Sequence, residues 1–209
     1  MKKIKKFAVA GVGFGDIIIL IEDILKNDKS LKFLGFIDDK KNKNINLKNY
    51  KIIGSWKEMK NKNIHIFNSV AKNNFSRIQA FKKLKSYGYK FLNLIHPSID
   101  LNYSKIGSGI CIFNNVFIGT NVSIGSQTII HSFSSIGHDV SIGKNCFIAP
   151  GAKILGGVKI KDNVFIGANS VCLPKTIINS KSVVGAGSTV AGIIKSRSTM
   201  FSGLGKKIN

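Results

Sequence analysis

His138 is followed directly by a carboxylate, Asp139, which none of the other three histidines of the chain is. An adjacent carboxylate can hold an imidazole in one tautomer and raise its basicity, as a general base requires. Eighteen residues further along the chain stand Gly156 and Gly157, which have no side chains. His138 and Asp139 are therefore the candidate catalytic pair, provided that an eighteen-residue spacing brings the two glycines beside them.

A six-residue repeat over residues 106–195 supplies that spacing. The first series is branched aliphatic at every position except Cys172: Ile106, Ile112, Ile118, Ile124, Ile130, Ile136, Ile142, Ile148, Ile154, Ile160, Ile166, Cys172, Ile178, Val184 and Val190. The second series stands four residues later and is small or β-branched, as in Val116, Val122, Val158 and Ser170. Neither an amphipathic helix nor a plain sandwich has this period. It predicts a hexapeptide parallel β-helix.

In such a fold three hexads close one triangular coil of about eighteen residues, and the aliphatic side chains stack inside it. Each fully buried aliphatic side chain contributes about 1.5–3 kcal/mol, so the column forms a sufficient core. Corner positions need residues that tolerate positive φ. The expected ones are Gly125, Asn145, Gly157, Asn163 and Gly187.

The same geometry places His138 at a corner, with Gly156 one coil further on and a notch beside the ring. A solvated corner histidine without a role is the alternative. His131 follows the inward Ile130 and is a candidate substrate contact. His96 precedes Pro97 and is expected to be a joint residue rather than a ligand.

The residues before the repeat alternate between strand and helix patterns. Apolar runs predict strands at 7–10, 31–37, 51–53, 64–67 and 90–94, and helices at 16–26, 56–60 and 75–87. Strand, glycine turn, helix, strand is a βαβ unit and predicts a Rossmann-like parallel sheet. We expect two domains, 1–95 and 96–209.

The glycine turn at 11–15 departs from the dinucleotide fingerprint, because Asp16 stands where the third glycine should fall. A carboxylate at a helix start also opposes a pyrophosphate, so NAD is not expected. Either another ligand approaches the strand ends, with Asp38 and Asp39 at the neighbouring tip, or the turn is structural.

The formal net charge of +22 first suggests nucleic acid. However, the cations are nearly all lysines in an Ile- and Asn-rich chain, so a codon-composition bias explains them and no nucleic-acid partner is expected. No apolar run approaches the length of a membrane span. Cys111, Cys146 and Cys172 lie in the repeat without metal spacing, which fits a reducing, cytoplasmic setting and no metal site.

Three segments carry a family resemblance: 93–98, 136–152 and 165–168. They resemble the bacterial sugar acyltransferases that join a Rossmann-like domain to a left-handed β-helix. These include nucleotide-linked 4-amino-sugar N-acetyltransferases and sialic acid O-acetyltransferases. The resemblance covers essentially the whole chain.

The resemblance implies a role for each matching position. His138 is the general base and Asp139 its supporting carboxylate. The expected acetyl-CoA contacts are Phe147, Gly156, Ala168 and Ala186. The expected nucleotide-sugar contacts are Val12, Gly13, Phe14, Asp38 and Asp39. The family works as a homotrimer, with each active site between two β-helices.

Three departures leave the nucleotide and the acyl donor open. Ala10 replaces the first glycine of the family's turn, Phe14 replaces its histidine, and Phe147 replaces a second histidine near the coenzyme. The usual ending of the family is also altered at 203–207.

The leading hypothesis is transfer of an acetyl group from acetyl-CoA to an amino group of a nucleotide-linked sugar. Sugar O-acetylation by the same base is the second. A β-helix zinc lyase would need three histidines around one metal, whereas His131 and His138 are the two available. A β-helix binding module that has lost activity is the non-enzymatic alternative.

Overall fold

A computed structural model describes residues 4–12, 15–39, 50–59, 63–70 and 73–202. The first part of the chain contains β1 (Lys5–Ala10), α1 (Ile17–Asn27), β2 (Leu31–Ile37), β3 (Ile52–Gly54), β4 (His65–Asn68), α2 (Asn74–Ser86) and β5 (Lys90–Phe91).

The remaining strands are short and regularly spaced. They are β6 (Leu94–Ile95), β7 (Ser104–Ile106), β8 (Cys111–Ile112), β9 (Phe117–Ile118), β10 (Val122–Ile124), β11 (Ile129–Ile130), β12 (Ser135–Ile136), β13 (Ser141–Ile142), β14 (Phe147–Ile148), β15 (Lys153–Ile154), β16 (Lys159–Ile160), β17 (Phe165–Ile166), β18 (Val171–Cys172), β19 (Ile177–Ile178), β20 (Val183–Val184), β21 (Thr189–Val190), β22 (Ile193–Ile194) and β23 (Thr199–Met200).

The first five strands form one parallel sheet in the order β3-β2-β1-β4-β5. Its central strand β1 is fully buried from Phe7 to Ala10, because neighbours cover it on both edges and both faces. The helix predicted at 56–60 is wrong: residues 56–59 form turns, after the short strand β3. The predicted Rossmann-like topology stays a prediction at this point.

The strand predicted at 90–94 is two strands. β5 pairs with β4 in the N-terminal sheet, whereas β6 pairs with β8, opposite Cys111–Ile112. The chain therefore changes sheets between Phe91 and Leu94. The division into domains at 95 and 96 remains a prediction.

The hexapeptide prediction is confirmed. The later strands form three parallel sheets of six, seven and five strands, which are the faces of a left-handed parallel β-helix. Each strand pairs with the strand one coil away, as Ile130 does with Ile148 and Ile136 with Ile154. The inward aliphatic residues form one continuous core. Buried hydroxyls of the second series bond to backbone carbonyls, such as that of Ser134 to Ala149 at 3.0 Å.

A left-handed backbone recurs every six residues at the corners. Of the expected positions, Asn145, Gly157, Asn163 and Gly187 have φ between 54° and 70°. The expectation for Gly125 is wrong, because the positive φ of that corner is at Gln127 (64°). Gly125 is needed instead for close packing, since a Cβ there would lie 2.5 Å from the carbonyl carbon of Gly143.

The N-terminal residues cover one face of the β-helix. Side chains of α1, including Ile17 and Ile21, share a buried cluster with Cys111 and Ile129 of the seven-stranded sheet. At 11 and 13 residues, α1 and α2 are too short to cross a bilayer, and the described ranges hold no helix long and apolar enough to do so.

Substitution of one inward isoleucine tests the core. Ile178 is fully buried, whereas Ile193 is 71% exposed on the paired strand β22. We expect Ile178→Ala to lower the free energy of unfolding by about 2–5 kcal/mol, because it leaves a cavity in a stacked column. The matched change Ile193→Ala should cost under about 1 kcal/mol. Equal losses in urea denaturation would contradict the stacking.

Candidate active site

His138 and Asp139 make the contact that their adjacency predicts. The Nδ1 atom of His138 lies 2.8 Å from Oδ2 of Asp139. A carboxylate oxygen can only accept, so Nδ1 carries the hydrogen and the neutral ring has its lone pair on Nε2. Within the described chain Nε2 of His138 has no hydrogen-bond partner. It is therefore available to take a proton from a ligand.

The carboxylate of Asp139 is fixed from two sides. Asn121, one coil earlier, donates from Nδ2 to Oδ1 of Asp139 at 2.7 Å. The bonds from His138 and Asn121, in that order, lower the pKa of Asp139 below its ordinary value. Asp139 also has φ of 58° and occupies a corner position that requires a left-handed backbone. The residue thus combines a conformational role with the orientation of the ring.

The ring of His138 lies against a glycine, as the spacing predicts. A Cβ built on Gly156 would lie 2.6 Å from Nε2 and 2.8 Å from Cε1 of the imidazole. The carbonyl of His138 accepts from the N–H of Gly157 at 2.9 Å. Because Gly156 has no side chain, the ring packs directly on the backbone of the next coil.

A groove of about 370 Å³ opens beside His138. Its walls include Gly119 and Thr120 of the preceding coil, and the aromatic residues Tyr103 and Phe117. Tyr103 is 72% exposed and Phe117 is 62% exposed. The imidazole therefore stands at the edge of a partly aromatic groove, with its side chain 70% exposed in the single chain.

The expected coenzyme contacts lie on different corners and faces. Gly156 lies at the corner of His138. Ala168 and Ala186 stack one coil apart at the corner that follows the seven-stranded sheet, where the carbonyl of Ala168 accepts from Gly187 at 2.8 Å. Phe147 lies on the seven-stranded sheet and is not among the residues of the His138 groove.

His131 lies in a second cavity, of about 340 Å³, between α1 and the β-helix. Its ring stacks on Phe113 with centroids 4.5 Å apart, and it contacts Phe147 at 5.0 Å. Burial is the main cause that lowers the pKa of His131, partly offset by the Asp16 charge. The half-buried imidazole of His131 forms part of the wall of this cavity. Its role as a substrate contact stays a prediction.

His96 lines the same cavity and joins two parts of the chain. Its Nδ1 accepts from the backbone N–H of Ser98 at 3.2 Å, so the neutral ring carries its hydrogen on Nε2. Nε2 lies 3.6 Å from Oδ2 of Asp23 on α1. The expectation of a joint residue agrees with these contacts.

The expected nucleotide-sugar residues lie at the ends of β1 and β2. Val12 packs against the cluster around α1, and Asp38 is 8% exposed. Asp39 accepts from the N–H of Trp56 at 3.0 Å and pairs with Lys83 at 2.7 Å. Its carboxylate already has protein partners. Gly13 and Phe14 lie outside the described residues.

Two residues of this region were missed by sequence reasoning. Asn121 stands eighteen residues before Asp139, so the repeat itself could have identified it. Arg77 is buried against the β-helix, and its signal was its rarity: Arg77 and Arg197 are the arginines of a chain whose cations are otherwise lysines. Among the described residues, no three His, Cys, Asp or Glu side chains are grouped so that they could hold a metal ion.

Comparison with known families agrees with this geometry. Residues 121–156 match the bacterial transferase hexapeptide model, described as six repeats, and residues 157–191 match the hexapeptide repeat of succinyl-transferase. Together the two matches span residues 121–191, which lie within the β-helix. The corner that carries His138 lies within the first of these matches.

Relatives of this hexapeptide β-helix include characterised proteins. A GDP-perosamine N-acetyltransferase of Escherichia coli O157:H7 is 33% identical over 88 residues, and the match covers 42% of this chain and 40% of the relative. A point mutant of the perosamine N-acetyltransferase of Caulobacter crescentus, solved with CoA and GDP-perosamine, has a TM-score of 0.84 at 21% identity, covering 95% of this chain and 94% of that one. The PglB acetyltransferase domain of Neisseria gonorrhoeae has a TM-score of 0.83 at 22% identity, covering 95% and 97%. These solved structures establish a shared fold.

Adding one methyl group at Gly156 tests the packing of the imidazole. We expect Gly156→Ala to push the ring of His138 off the coil, because its Cβ would lie 2.6 Å from Nε2. A crystal structure of the variant should show a rotated ring and a longer distance from Nδ1 to Asp139. The melting temperature should change little, since the ring is exposed and can swing outward. An unmoved ring in an intact variant would contradict the packing described here.

Proposed function

We propose that this chain is an acetyl-CoA-dependent N-acetyltransferase acting on a nucleotide-linked amino sugar, with the 4-amino group as acceptor. The observation that carries the proposal is the imidazole of His138, held through Nδ1 by Asp139 with Nε2 free, on a β-helix of hexapeptide transferase type. The Escherichia coli relative is a GDP-perosamine N-acetyltransferase, which supports this substrate class.

The proposed reaction is direct transfer. The sugar amine attacks the thioester carbonyl, so a C–N bond forms and the carbonyl oxygen becomes an oxyanion. His138 takes the proton from the attacking nitrogen at Nε2. A backbone N–H stabilises the oxyanion, with those of Gly156, Ala168 and Ala186 as candidates. The C–S bond then breaks, and the thiolate of CoA leaves and is protonated, giving the acetamido sugar and CoA.

The N-terminal sheet is proposed as a Rossmann-like nucleotide-sugar domain. Its strand order β3-β2-β1-β4-β5 matches the first five strands of the doubly wound order 3-2-1-4-5-6, which supports this assignment. The turn at Val12, Gly13 and Phe14 and the acidic tip at Asp38 and Asp39 would then contact the nucleotide. In this proposal Asp39 keeps its bond to Lys83, and Asp38 contributes to the selection of the nucleotide.

A cytoplasmic homotrimer is the proposed working form, with residues 1–95 and 96–209 as the two domains. The groove of His138 and the cavity of His131 share no lining residue within one chain. A neighbouring subunit would bring them together. Exposed aromatic side chains near these corners, Phe117 at 62% and Phe133 at 68%, support such a contact.

Removal of the proposed base is the primary test. We expect His138→Ala to lower kcat by at least about 10²-fold, the usual minimum contribution of a general base. The Kd for the nucleotide sugar should not change, because the ring acts on the amine rather than on the nucleotide. His65→Ala, at a histidine of β4, is the matched control and should keep wild-type turnover. Undiminished turnover by His138→Ala would refute the assignment.

The supporting carboxylate has a separate test. A carboxylate can only accept a hydrogen bond from Nδ1 of His138, whereas the amide of Asp139→Asn can also donate one to it. The variant therefore permits the tautomer with its hydrogen on Nε2, which cannot act as the base. We expect kcat to fall to a value between those of the wild type and His138→Ala, with KM unchanged.

Steady-state kinetics of the wild type with a 4-amino sugar and its 4-hydroxy analogue separates N- from O-acetylation. A higher kcat/KM for the hydroxy sugar would overturn the substrate assignment.

Ligand binding tests the substrate class without turnover. A ligand that binds only the folded protein stabilises it by about 2.7 kcal/mol at a concentration of 100 Kd. A thermal-shift series with GDP-, UDP- and dTDP-sugars should raise the melting temperature for one nucleotide, and acetyl-CoA should raise it further. A series in which neither ligand class shifts the melting temperature would favour a lapsed binding module.

A further inference from the structure

A separate cavity lies away from the His138 groove, between α2 and the seven-stranded face of the β-helix. It measures about 680 Å³, which is the size range of small-molecule sites. Its walls are formed by Asn73, Asn74, Phe75, Arg77, Ile78, Gln79, Lys82, Phe147, Asn163, Phe165, Lys181 and Val183. We call it the α2 cavity.

The charged residues that line the α2 cavity are all cations. Arg77 and Lys82 come from α2, and Lys181 comes from a corner of the β-helix. None of the described residues that line it carries a carboxylate. Three cations facing one space repel each other unless an anion or solvent separates them. A ligand that brings negative charge would remove that repulsion.

Arg77 is the most informative of the three, because it is a buried cation without a carboxylate. It is 2% exposed, and its donors reach neutral acceptors: Asn145 Oδ1 at 2.8 Å, the carbonyl of Cys146 at 3.0 Å and Asn74 Oδ1 at 3.4 Å. Burial lowers the pKa of Arg77 to about 10. Buried charges are normally paired, so the cost of burying this one is only partly offset.

The apolar part of the wall suits a planar group. Phe165 stacks on Phe147 with centroids 5.4 Å apart, and Ile78 and Val183 also line the space. Phe75 is 70% exposed although it stands on the cavity wall. An exposed ring beside a stacked pair can receive a heteroaromatic base. Asparagine and glutamine side chains among the lining residues supply further hydrogen-bonding groups.

We propose that the α2 cavity is a binding site for a nucleoside phosphate, with the phosphates near Lys82, Lys181 and Arg77 and the base against Phe75. This inference does not rest on the general base, because none of its charged residues is proposed for catalysis or for the sugar nucleotide. One wall residue, Phe147, is among the expected acetyl-CoA contacts, so the experiment must separate a coenzyme site from a separate nucleotide site. The ligand is recognised by shared chemistry, a planar base joined to phosphates. Free nucleotides and the adenosine phosphate end of coenzyme A both present it, and the experiment distinguishes them.

Calorimetric titration with ADP tests the site in the full chain. Lys82→Gln/Lys181→Gln removes two exposed charges without disturbing buried Arg77. We expect the Kd for ADP to rise at least about tenfold, since one hydrogen bond to a charged group contributes that much. Lys32→Gln/Lys159→Gln removes the same charge from exposed positions on other sheets and should leave the Kd unchanged. Circular dichroism confirms that both variants fold.

Further titrations show which ligand occupies the α2 cavity and whether ADP binds there. Phe75→Ala should also weaken ADP binding, whereas inorganic phosphate should bind more weakly than ADP because it lacks a base. Displacement of ADP by acetyl-CoA would identify the cavity as a coenzyme site, and binding of both together would identify a separate nucleotide site. The inference is overturned if ADP does not bind, or if Asp38→Asn weakens it while Lys82→Gln/Lys181→Gln does not. Acetyl transfer is measured in a separate assay. Failure of the proposed acetyltransferase activity can therefore be told apart from failure of ADP binding in the α2 cavity.

Discussion

Stacking of inward aliphatic side chains, one coil above another, is the constraint on which the rest of this structure depends. Each strand bonds to the strand eighteen residues away, and each coil must turn three corners to keep that alignment. A left-handed backbone is needed at every corner, and Asn121, Asp139 and Gly157 all occupy such positions. A residue inserted between two corners would turn every following inward side chain away from the core.

The same constraint turns a corner into a candidate active site. Because successive coils are in register, Asn121 lies directly below Asp139 and donates to its carboxylate. The next coil presents Gly156, whose missing side chain leaves room for the imidazole of His138. Three consecutive coils therefore determine the position, tautomer and exposure of a single ring. The two sites differ in charge: a carboxylate is bonded to His138, whereas the described residues that line the α2 cavity include cations and no carboxylate.

Much of this was predictable from the sequence, because the β-helix repeats a local rule. The six-residue series gave the strands, the inward residues and the spacing from His138 to Gly156. Where a residue's role depended on one particular neighbour, prediction was less successful. Gly125 was assigned a positive φ, but its role is to let the backbone of Gly143 approach. The strand at 90–94 divides between two sheets because its second half finds its partner in Cys111–Ile112.

The partners in contacts between distant parts of the chain could not be predicted from the sequence, even where one residue, Arg77, was conspicuous by its rarity. The bond from Arg77 to Asn145 spans 68 residues and depends on how α2 lies on the β-helix. The pairing of Asp39 with Lys83 depends likewise on the tertiary arrangement. The α2 cavity exists because two such elements meet, so no motif could have marked it. The six-residue repeat thus specifies the β-helix, whereas the tertiary packing decides which charged and polar side chains meet on its surfaces.

The most direct test of the account is a crystal structure of the protein with CoA and a nucleotide-linked 4-amino sugar. The account predicts the sugar nitrogen within about 3.2 Å of Nε2 of His138, the reach of a general base, while Nδ1 keeps its bond to Asp139. It also predicts the sulfur of CoA beside the same nitrogen. A complex in which both ligands are bound and the amine lies outside hydrogen-bonding reach of any His138 ring would contradict it.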